Sequence, residues 1–599
     1  MTTNTLTNEG GAPLDPVQEK RFVWMILLVT AVTYSGALRF DFTYDDYPQI
    51  VFNPFIKAWN YVPQYFVSSV WKQMSPFAPG NYYRPLFLLF LRINYSVFGD
   101  RPFGWHLVTL ALHLVVTWQV YLIVKKLTGR FTPAWLAAAI FGVHPVHHET
   151  VAWVSGTTET LLAVTFLGAF LAYLRSREDS KPLWTAVACA CFVLALLAKE
   201  TAIIFPALVF ATEWIRFDSD GRSRPDFAER LKAAFAASWI YLPFVFVYLI
   251  VRNRVLAGLG HAFSSASVTD WLLTLPSILL FYVRNWFFPR RLSAFYDLYY
   301  QQRLTFGHVV LPALILVAFL AVVWAVRRRL GSKNVGYALA WMVIPLLPAL
   351  DTFVFHSDVL VHDRYFYLPS IGAALLVALA IEKAIATGPV LFGQPLHVVS
   401  AALAIVVILS FLSTRTIASW WDDYSLFSRA HQIAPLNSTV SNNLAAEMMS
   451  RRQLGPAQEI LEQAFQAHPS DAQISMNLGR LHYREDDIRQ AESFTLNAVR
   501  LDPTLADSYV LLGQIRLKQN RPKEAQDNLR QAVTLNPYSA PYHTGYGMVL
   551  ALNGDCADAT LQFDAALALN PSEGLTELQK RRCAALPSVP SSAGKSGQS

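Results

Sequence analysis

Two adjacent carboxylates, Asp45 and Asp46, are the residues whose type and position first suggest chemistry. They follow directly after an apolar stretch, residues 22–38, that is just long enough to cross a bilayer. Lys20 and Arg21 precede this stretch and hold its first end in the cytoplasm, because cytoplasmic segments carry the excess of basic residues. The pair therefore emerges on the extracytoplasmic side, where a carboxylate can act as a general base.

Further ionisable residues stand at the extracytoplasmic ends of other apolar stretches. They are Arg84, His144, His147, Glu149, Lys199, Glu200, Asp363 and Arg364. Ionisable groups are costly near hydrocarbon, so their grouping on one side predicts a polar cavity at the outer membrane interface. Arginine and lysine in such a cavity can hold a phosphate, and Lys199, Arg84 and Arg364 are the candidates for that task.

Each of these residues also has an interpretation without chemistry. The two aspartates could form a solvated acidic turn or cap a following helix. The histidines could be interfacial residues at a helix end. Lys199 and Glu200 could pair with each other, and Arg364 could be an interfacial anchor. The sequence leaves these alternatives open for each residue taken alone.

The composition predicts that these residues are positioned by a multi-spanning membrane protein. Of the 599 residues, 53% are hydrophobic, and the mean hydropathy is +0.31. We predict about eleven spans between residues 22 and 414, with their basic flanks in the cytoplasm. Residues 271–288 are also apolar, but a crossing there would place Arg327 to Arg329 outside, so we expect a re-entrant or interfacial segment. The net charge of +7 thus reflects topology, not nucleic-acid binding.

The C-terminal part contains an internal repeat. Five prolines stand 34 residues apart, at Pro435, Pro469, Pro503, Pro537 and Pro571, with alanines and glycines in register. This period and pattern are typical of tetratricopeptide repeats, in which small residues let paired helices approach closely. The predicted fold is all-α, a membrane helix bundle followed by an α-solenoid. The predicted repeats are 438–471, 472–505, 506–539 and 540–573.

The predicted domains follow from these two patterns. They are a disordered cytoplasmic start at 1–21, a membrane domain at 22–414 with a first outer loop at 39–103, an extracytoplasmic repeat domain at 415–583, and a disordered tail at 584–599. Cys556 and Cys583 lie in the repeat domain at no metal-ligand spacing, so we expect neither a zinc site nor a structural disulfide framework.

Five short segments of the chain form a combination of motifs. They are Asp45-Asp46, His-Pro-Val-His at 144–147 continuing through Glu149 to Ser-Gly, Ala-Lys-Glu at 198–200, Tyr-Val-Arg-Asn-Trp-Phe-Phe-Pro at 282–289, and Asp-Arg-Tyr-Phe-Tyr-Leu-Pro-Ser at 363–370. Together with the repeats, they resemble the transmembrane and tetratricopeptide-repeat O-mannosyltransferases and their bacterial relatives, a family of GT-C glycosyltransferases. The resemblance covers most of residues 22–580. It implies a GT-C-like membrane domain with a catalytic first outer loop and a lipid-linked sugar donor.

The resemblance also implies roles for the polar residues. Asp45 or Asp46 would be the base in an inverting transfer of a sugar, mannose by analogy, from a polyprenyl or dolichyl phosphate to a protein Ser/Thr hydroxyl. The same two carboxylates could instead ligate a divalent metal, although no cofactor is required by the family pattern. The further substrate-site candidates are His144, His147, Glu149, Glu200 and Asp363.

The expected partners are the lipid-linked donor, a protein or peptide acceptor on the repeat surface, and the bilayer. We expect a bacterial inner membrane with the repeats in the periplasm, or the endoplasmic reticulum with luminal repeats in a eukaryote. Two alternatives belong to other functional classes. A flippase or transporter would place polar or broken helices near the bilayer midplane, and a non-catalytic scaffold would have no use for an acidic first loop.

Overall fold

The computed structural model describes residues 15–71, 80–217, 226–258, 266–354, 359–384, 389–391, 394–571 and 574–585. Of the two segments predicted to be disordered, at 1–21 and 584–599, residues 1–14 and 586–599 lie outside the described residues. Residues 16–21 form the start of a helix, which differs from the predicted disorder. The chain divides into two compact units. The first contains the residues up to 51, 56–70 and 79–440, and the second contains 52–55, 71–78 and the residues from 441.

The first unit is helical. Its helices are α1 (Pro16–Tyr34), α2 (Val62–Tyr65), α3 (Pro85–Phe98), α4 (Pro102–Thr128), α5 (Phe131–Gly142), α6 (His148–Ala152), α7 (Thr157–Asp179), α8 (Pro182–Ala198), α9 (Phe205–Phe217), α10 (Phe227–Ser238), α11 (Leu242–Leu256), α12 (Val268–Phe287), α13 (Leu311–Leu330), α14 (Ser332–Val343), α15 (Pro369–Ala384), α16 (Leu396–Ile417) and α17 (Asp423–Ile433). Short turns of 3₁₀ helix extend several of them, including Ser35–Arg39, Glu200–Ile204, Ile344–Leu350 and Asp363–Phe366. A two-residue antiparallel ladder, β1 (Val390–Leu391) with β2 (Gln394–Pro395), is the only strand pairing among the described residues.

Seven helical segments of the described chain are long and apolar enough to cross a membrane. They are Pro16–Arg39, Pro102–Thr128, Thr157–Asp179, Phe227–Leu256, Phe306–Leu330, Ser332–Leu350 and Leu396–Trp420. The other four predicted spans correspond to the shorter helices α5, α8, α9 and α15. The chain is thus a multi-pass membrane protein and the all-helical fold class is confirmed, while the count of eleven spans stays a prediction.

The predicted cytoplasmic flanks meet at one end of the helices. Lys126 pairs with Glu178 at 2.6 Å, and Arg130 pairs with Glu382 at 2.7 Å. These four residues belong to the ends of α4, α7 and α15 and to the turn before α5. The ends of these helices that carry the predicted cytoplasmic flanks therefore lie close together.

Helices α5 and α15 form the centre of the first unit. Every residue of α5 from Pro133 to Gly142 is buried, as expected for a helix that is apolar on all sides. Helix α15 packs equally closely on α14, because a Cβ added at Gly372 would stand 2.1 Å from the carbonyl oxygen of Ala338. This packing fixes the N-terminal end of α15 and the turn Asp363–Phe366 before it.

The second unit is a stack of helix hairpins. Its helices are α18 (Ser438–Ser450, whose first turn belongs to the first unit), α19 (Leu454–Ala467), α20 (Ala472–Arg484), α21 (Ile488–Leu501), α22 (Ala506–Lys518), α23 (Pro522–Leu535), α24 (Ala540–Leu552), α25 (Cys556–Leu569) and α26 (Gly574–Ala585). The alanines in register, Ala457, Ala491, Ala525 and Ala559, are fully buried. Small side chains at these positions allow each pair of helices to approach closely, and the α-solenoid is confirmed.

A disulfide joins Cys556 to Cys583. The expectation that these cysteines form no structural disulfide is therefore wrong. Cys556 begins α25 and Cys583 lies near the end of α26, and the two helices run antiparallel, so residues 27 apart meet with their Cα atoms at 5.4 Å. The bond forms because α25 and α26 pack as an antiparallel hairpin. The spacing of the two cysteines in the sequence does not indicate it.

We expect loss of this disulfide to destabilise the end of the repeat stack. Opening a closed loop of 27 residues costs about 3–4 kcal/mol by chain entropy. The variant Cys556→Ser, Cys583→Ser should therefore be cut in α26 by trypsin much faster than the wild type. The matched control replaces the other two cysteines, Cys189 and Cys191, which are unbonded. Equal cleavage of the two variants would contradict the prediction.

Candidate active site

The loop that carries the two aspartates is held in place on both sides. Phe40 and Phe42 are buried and anchor the chain as it leaves α1. Tyr44 has a φ of +53°, a conformation that non-glycine residues adopt rarely and that clusters at functional sites. Its backbone N–H donates to Asp423 Oδ1 at 2.7 Å, at the start of α17. The turn thereby presents Asp45 and Asp46 in different directions.

Asp46 is fully buried and its carboxylate is used within the protein. Its Oδ1 accepts hydrogen bonds from the backbone N–H of Ser155 at 2.7 Å and from Ser155 Oγ at 2.6 Å. Its Oδ2 accepts from the backbone N–H of Thr43 at 3.1 Å. Asp46 therefore ties the first outer loop to the turn between α6 and α7.

Asp45 is the carboxylate of the pair with capacity for a substrate. It is partly exposed, and its side chain accepts no hydrogen bond from any residue that the structure describes. Burial raises the pKa of Asp45 to about 7, against the opposing effect of Arg364 and with a further increase from Asp423. A carboxyl group with a pKa near neutrality is well matched to general-base chemistry. Burial raises the pKa of Asp46 to about 7 as well, so the pair is distinguished by the hydrogen bonds that Asp46 accepts and Asp45 does not.

The geometry of the pair does not fit a metal ion. Both oxygens of Asp46 already accept hydrogen bonds from N–H or O–H donors, which point where a cation would stand. Among the described residues, no group of three or more His, Cys, Asp or Glu side chains is placed to hold a metal.

Arg364 and Glu149 form a buried ion pair beside the loop. Arg364 Nη1 donates to Glu149 Oε1, and the backbone N–H of Arg364 donates to Glu149 Oε2 at 3.1 Å. The guanidinium also lies over the rings of Trp153, at 5.3 Å, and Tyr365, at 5.0 Å. Arg364 is thus fixed in position by Glu149 and is held within electrostatic range of Asp45.

Lys199 and Glu200 do not pair with each other, so that alternative is wrong. Lys199 Nζ pairs with Glu159 of α7, and both side chains are buried. Glu200 instead accepts two hydrogen bonds from Arg84, Nε to Oε2 at 2.9 Å and Nη2 to Oε1 at 2.5 Å. Burial alone would raise the pKa of Glu200, but Arg84 holds it near 2. Lys199 and Glu200 are adjacent in sequence, but each pairs with a residue on a different element, Glu159 in α7 and Arg84 just before α3.

A cavity of about 460 Å³ brings these cations together. Arg84, Lys199 and Arg252 line it, with the rings of Tyr82 and Tyr365 between them. Two carboxylates, Glu200 and Asp351, and the polar residues Asn81 and Thr201 also line it. The rest of the wall is apolar, formed by Ile203, Ile204, Tyr248, Leu249, Leu347, Pro348, Ala349 and Val354. We call this the Arg84 cavity. Three basic groups outnumber the two carboxylates at the polar end, and this cationic end with its apolar wall fits an amphipathic anion.

Tyr82 links the Arg84 cavity to the aspartate loop. Burial raises the pKa of its phenol, Arg84 and Arg364 oppose this rise, and Glu200 and Asp45 add to it. The ring therefore lies within electrostatic range of both the cavity cations and the free carboxylate. Tyr82 also packs under the guanidinium of Arg84, 4.4 Å from its ring centre.

The histidines His144 and His147 make contacts within the packed interior. His144 donates from Nε2 to the carbonyl of Trp286 at 3.0 Å, accepts at Nδ1 from Val146 N–H at 3.2 Å, and stacks on the Trp286 ring. His147 Nε2 lies 3.0 Å from Ser370 Oγ. Neither residue lines the Arg84 cavity. A substrate contact by these two residues stays a prediction.

Asp363, next to Arg364 in the chain, accepts hydrogen bonds from three side chains. Its carboxylate accepts from Asn285 Nδ2 at 3.0 Å, from His148 Nε2 at 3.1 Å and from Tyr296 Oη. His148 can donate from Nε2 because its Nδ1 accepts from Trp420 Nε1 at 2.9 Å. Asp363 therefore orients the backbone from which Arg364 projects.

Five residues of this site were not selected from the sequence. They are Tyr82, Ser155, Glu159, Arg252 and Tyr365. Tyr365 stands directly beside Arg364 in the quoted segment 363–370, and Tyr82 stands two residues before Arg84, so proximity in the sequence was an available signal. Glu159 and Arg252 lie inside apolar helices, where an ionisable residue is itself a sign of function.

Both parts of the chain match models of known protein families. Residues 79–250, which include Arg84, Glu149 and Lys199, match the family model described as dolichyl-phosphate-mannose-protein mannosyltransferase. Residues 449–506 and 510–573 match the tetratricopeptide repeat. The membrane part and the repeat part of the chain therefore each match a known family.

Three curated relatives cover most of this chain. Protein O-mannosyl-transferase Tmtc3 of Drosophila melanogaster is 27% identical over 529 residues, which cover 76% of this chain and 56% of the relative. Human TMTC3 is 27% identical over 74% of this chain and 51% of its own length, and human TMTC4 is 25% identical over 73% and 65%. The chain spans between half and two thirds of the length of these relatives. The resemblance drawn from the motifs is confirmed, and the chain is a relative of the transmembrane and tetratricopeptide-repeat O-mannosyltransferases.

Proposed function

We propose that this protein is a membrane glycosyltransferase that moves a mannosyl group from a polyprenyl phosphate carrier to a Ser/Thr hydroxyl of a protein outside the cytoplasm. The observation that carries the proposal is one free carboxylate, Asp45, next to a cavity with a cationic end and an apolar wall. A base and an anion site are the two groups that such a transfer needs.

The reaction would be a single displacement. The acceptor hydroxyl oxygen attacks the anomeric carbon while Asp45 takes its proton. The bond from that carbon to the phosphate oxygen breaks, and the polyprenyl phosphate leaves with the electron pair. Because attack and departure are on opposite faces, the anomeric configuration inverts. Asp46 holds the loop and does not exchange a proton with the substrate.

The Arg84 cavity would hold the donor phosphate. Arg252 donates from Nη2 to the carbonyl of Asn81 at 2.9 Å, but its buried Nε has no hydrogen-bond partner within the described ranges. Buried donors without partners are costly, so this group is available for an anion. The carrier chain would lie along the apolar wall.

We expect Arg252→Gln to weaken donor use selectively. Loss of one charge-assisted hydrogen bond to phosphate should raise the KM for the donor by about tenfold, corresponding to roughly 1.5 kcal/mol, with little change in kcat. The matched control is Arg254→Gln, two residues along the same helix and outside the cavity. Initial rates over a range of polyprenyl phosphate mannose concentrations measure both constants. A fall in kcat at unchanged KM would contradict donor binding by Arg252.

The repeats would dock the protein acceptor. Stacked tetratricopeptide repeats form an extended concave surface suited to peptides. We expect removal of residues 438–585 to lower transfer to a protein acceptor by at least about tenfold while donor hydrolysis by water continues. Transfer to a short Ser/Thr peptide at high concentration serves as the control. Equal loss of transfer and hydrolysis would contradict a docking role.

The repeats would lie in an oxidising compartment. The Cys556–Cys583 disulfide supports this, because such bonds persist in the periplasm or the endoplasmic reticulum lumen and are rare in the cytosol. The predicted topology, with everything after residue 414 outside the cytoplasm, is consistent with it. We favour a bacterial inner membrane with periplasmic repeats.

A further inference from the structure

A second cavity, of about 730 Å³, lies at the C-terminal end of α12. It shares no lining residue with the Arg84 cavity. Three arginines, Arg284, Arg290 and Arg291, line it together with one carboxylate, Asp297. We call it the triple-arginine cavity. Its formal charge of three positive groups against one negative group attracts anions.

The arginines have no carboxylate partner within the part of the chain that the structure describes. Arg284 makes only long hydrogen bonds to the neighbouring Asn285, at 3.2 and 3.4 Å. Arg290 and Arg291 are exposed, and neither forms an ion pair with a described residue. Like charges brought together in one cavity repel each other unless an anion lies between them.

In the predicted topology, the three arginines lie on the side of the membrane where basic residues are usually scarce. Asn285 bonds Asp363 and Trp286 stacks on His144, so in this topology residue 284 and its neighbours lie on the extracytoplasmic side with them. Basic residues in membrane proteins accumulate on the cytoplasmic side instead. Three arginines at the outer interface therefore need a reason other than orientation of the chain.

The surroundings of the triple-arginine cavity are apolar and exposed. Phe288, which lines it, is 69% exposed. Leu304 and Phe306, just before the lining residues Gly307 and His308 in the chain, are 70% and 68% exposed. Side chains of this size stay uncovered where a protein meets lipid. A ligand that reaches the arginines from this side would carry hydrocarbon next to its charge.

The cavity is also built on fixed parts of the fold. Asn285 and Tyr296 line it, and both donate hydrogen bonds to Asp363. Ser277 Oγ donates to the carbonyl of His308, and Gln301 N–H donates to Thr274 Oγ1 at 2.8 Å, so the segment after α12 is tied back to it. The arginines are thus presented by an ordered frame.

We infer that the triple-arginine cavity binds the phosphate group of a lipid in the outer leaflet, at a site separate from the donor site. Arginine binds phosphate oxygens through two parallel charge-assisted hydrogen bonds. The exposed apolar rim favours a lipid over an acidic peptide. The phosphate could belong to an anionic phospholipid or to a polyprenyl monophosphate, and the two sources are separated by the experiment below.

The test is lipid retention by the full-length protein, measured by native mass spectrometry. The probes are phosphatidylglycerol, polyprenyl monophosphate and inorganic phosphate, each titrated separately. The variant is Arg284→Gln, Arg290→Gln, Arg291→Gln. The matched control removes the same charge from three exposed arginines outside the cavity, as Arg101→Gln, Arg254→Gln, Arg303→Gln. Arg252→Gln serves as a second control, because it alters only the Arg84 cavity.

We expect the cavity variant to lose one retained lipid, with at least a tenfold weaker apparent affinity, while both controls keep it. Loss with both lipids would indicate a general lipid-phosphate site, and loss with polyprenyl monophosphate alone would indicate a site for the carrier. Either result supports the inference. It would be overturned by equal retention in all variants, by binding of inorganic phosphate without lipid, or by binding of an acidic peptide in place of lipid. A protein inactive in sugar transfer would leave this test unaffected.

Discussion

Replacing Asp45 with asparagine is expected to slow sugar transfer by about three orders of magnitude, the middle of the range for loss of a general base. Asparagine keeps the shape of the side chain but cannot accept the hydroxyl proton. Donor binding should change little, because Asp45 does not line the Arg84 cavity. The measurement is the single-turnover rate with polyprenyl phosphate mannose and a protein acceptor. The matched control is Asp41→Asn, an exposed aspartate of the same loop, which should retain nearly full activity.

The pH dependence of the wild type follows from the same residue. Burial raises the pKa of Asp45 to about 7, so the carboxyl is protonated and inactive as a base below that pH. The rate should therefore fall about tenfold per unit as the pH drops below 7 and level off above it. An unchanged rate down to pH 5 would show that Asp45 is not the titrating base.

Asp46→Asn separates a positioning role from a catalytic one. Its carboxylate accepts three hydrogen bonds, and an asparagine can accept at only one of its two side-chain positions. We expect lower thermal stability and lower activity together, with the pH profile of the remaining activity still set by Asp45. Loss of activity at full stability would instead indicate that Asp46 contacts substrate.

The largest effect on stability is expected from breaking the buried pair of Lys199 and Glu159. Lys199→Met leaves Glu159 buried without its partner, which should cost about 3–5 kcal/mol of unfolding free energy. The double variant Lys199→Met, Glu159→Gln removes both charges and should regain most of this stability. Thermal unfolding of the purified proteins in detergent measures both changes.

The double variant also tests whether Lys199 contacts the donor. If Lys199 lines the phosphate site as proposed, the KM for polyprenyl phosphate mannose should stay raised although the fold is restored. If Lys199 serves only to neutralise Glu159, the double variant should recover donor use along with stability. The second outcome would remove Lys199 from the phosphate site and leave Arg84 and Arg252.

Much of the fold could be predicted because it follows from local patterns. Apolar stretches with basic flanks define membrane helices, and a 34-residue period of small residues and prolines defines the repeats. The position of Asp45 and Asp46 just after α1 was predictable for the same reason, since they follow the first apolar stretch, while their extracytoplasmic side stays a prediction.

The partners within the site could not be predicted, because tertiary packing decides them. Glu159 pairs with Lys199 across 40 residues, and Arg84 reaches Glu200 across 116. Lys199 and Glu200 have opposite charges and adjacent positions, but extended backbone at Lys199 points their side chains to different elements. The Cys556–Cys583 bond was missed because it depends on how α25 and α26 turn back on each other.

The different roles of the two aspartates could not be predicted from the sequence either. Both residues have the same type and emerge from the same span. They differ because Ser155, 109 residues away in the chain, supplies two donors to Asp46 and none to Asp45. Only the fold shows that one carboxylate is satisfied and the other is available.

The most direct test of the central claim is the release of polyprenyl phosphate, coupled to a mannosylated Ser/Thr product, by the purified full-length protein. Wild type, Asp45→Asn and Asp41→Asn would be compared with polyprenyl phosphate mannose and a mixed extracytoplasmic protein acceptor. Our account predicts stoichiometric release and product for wild type and Asp41→Asn, with both lost in Asp45→Asn. Equal release and product from wild type and Asp45→Asn would contradict it.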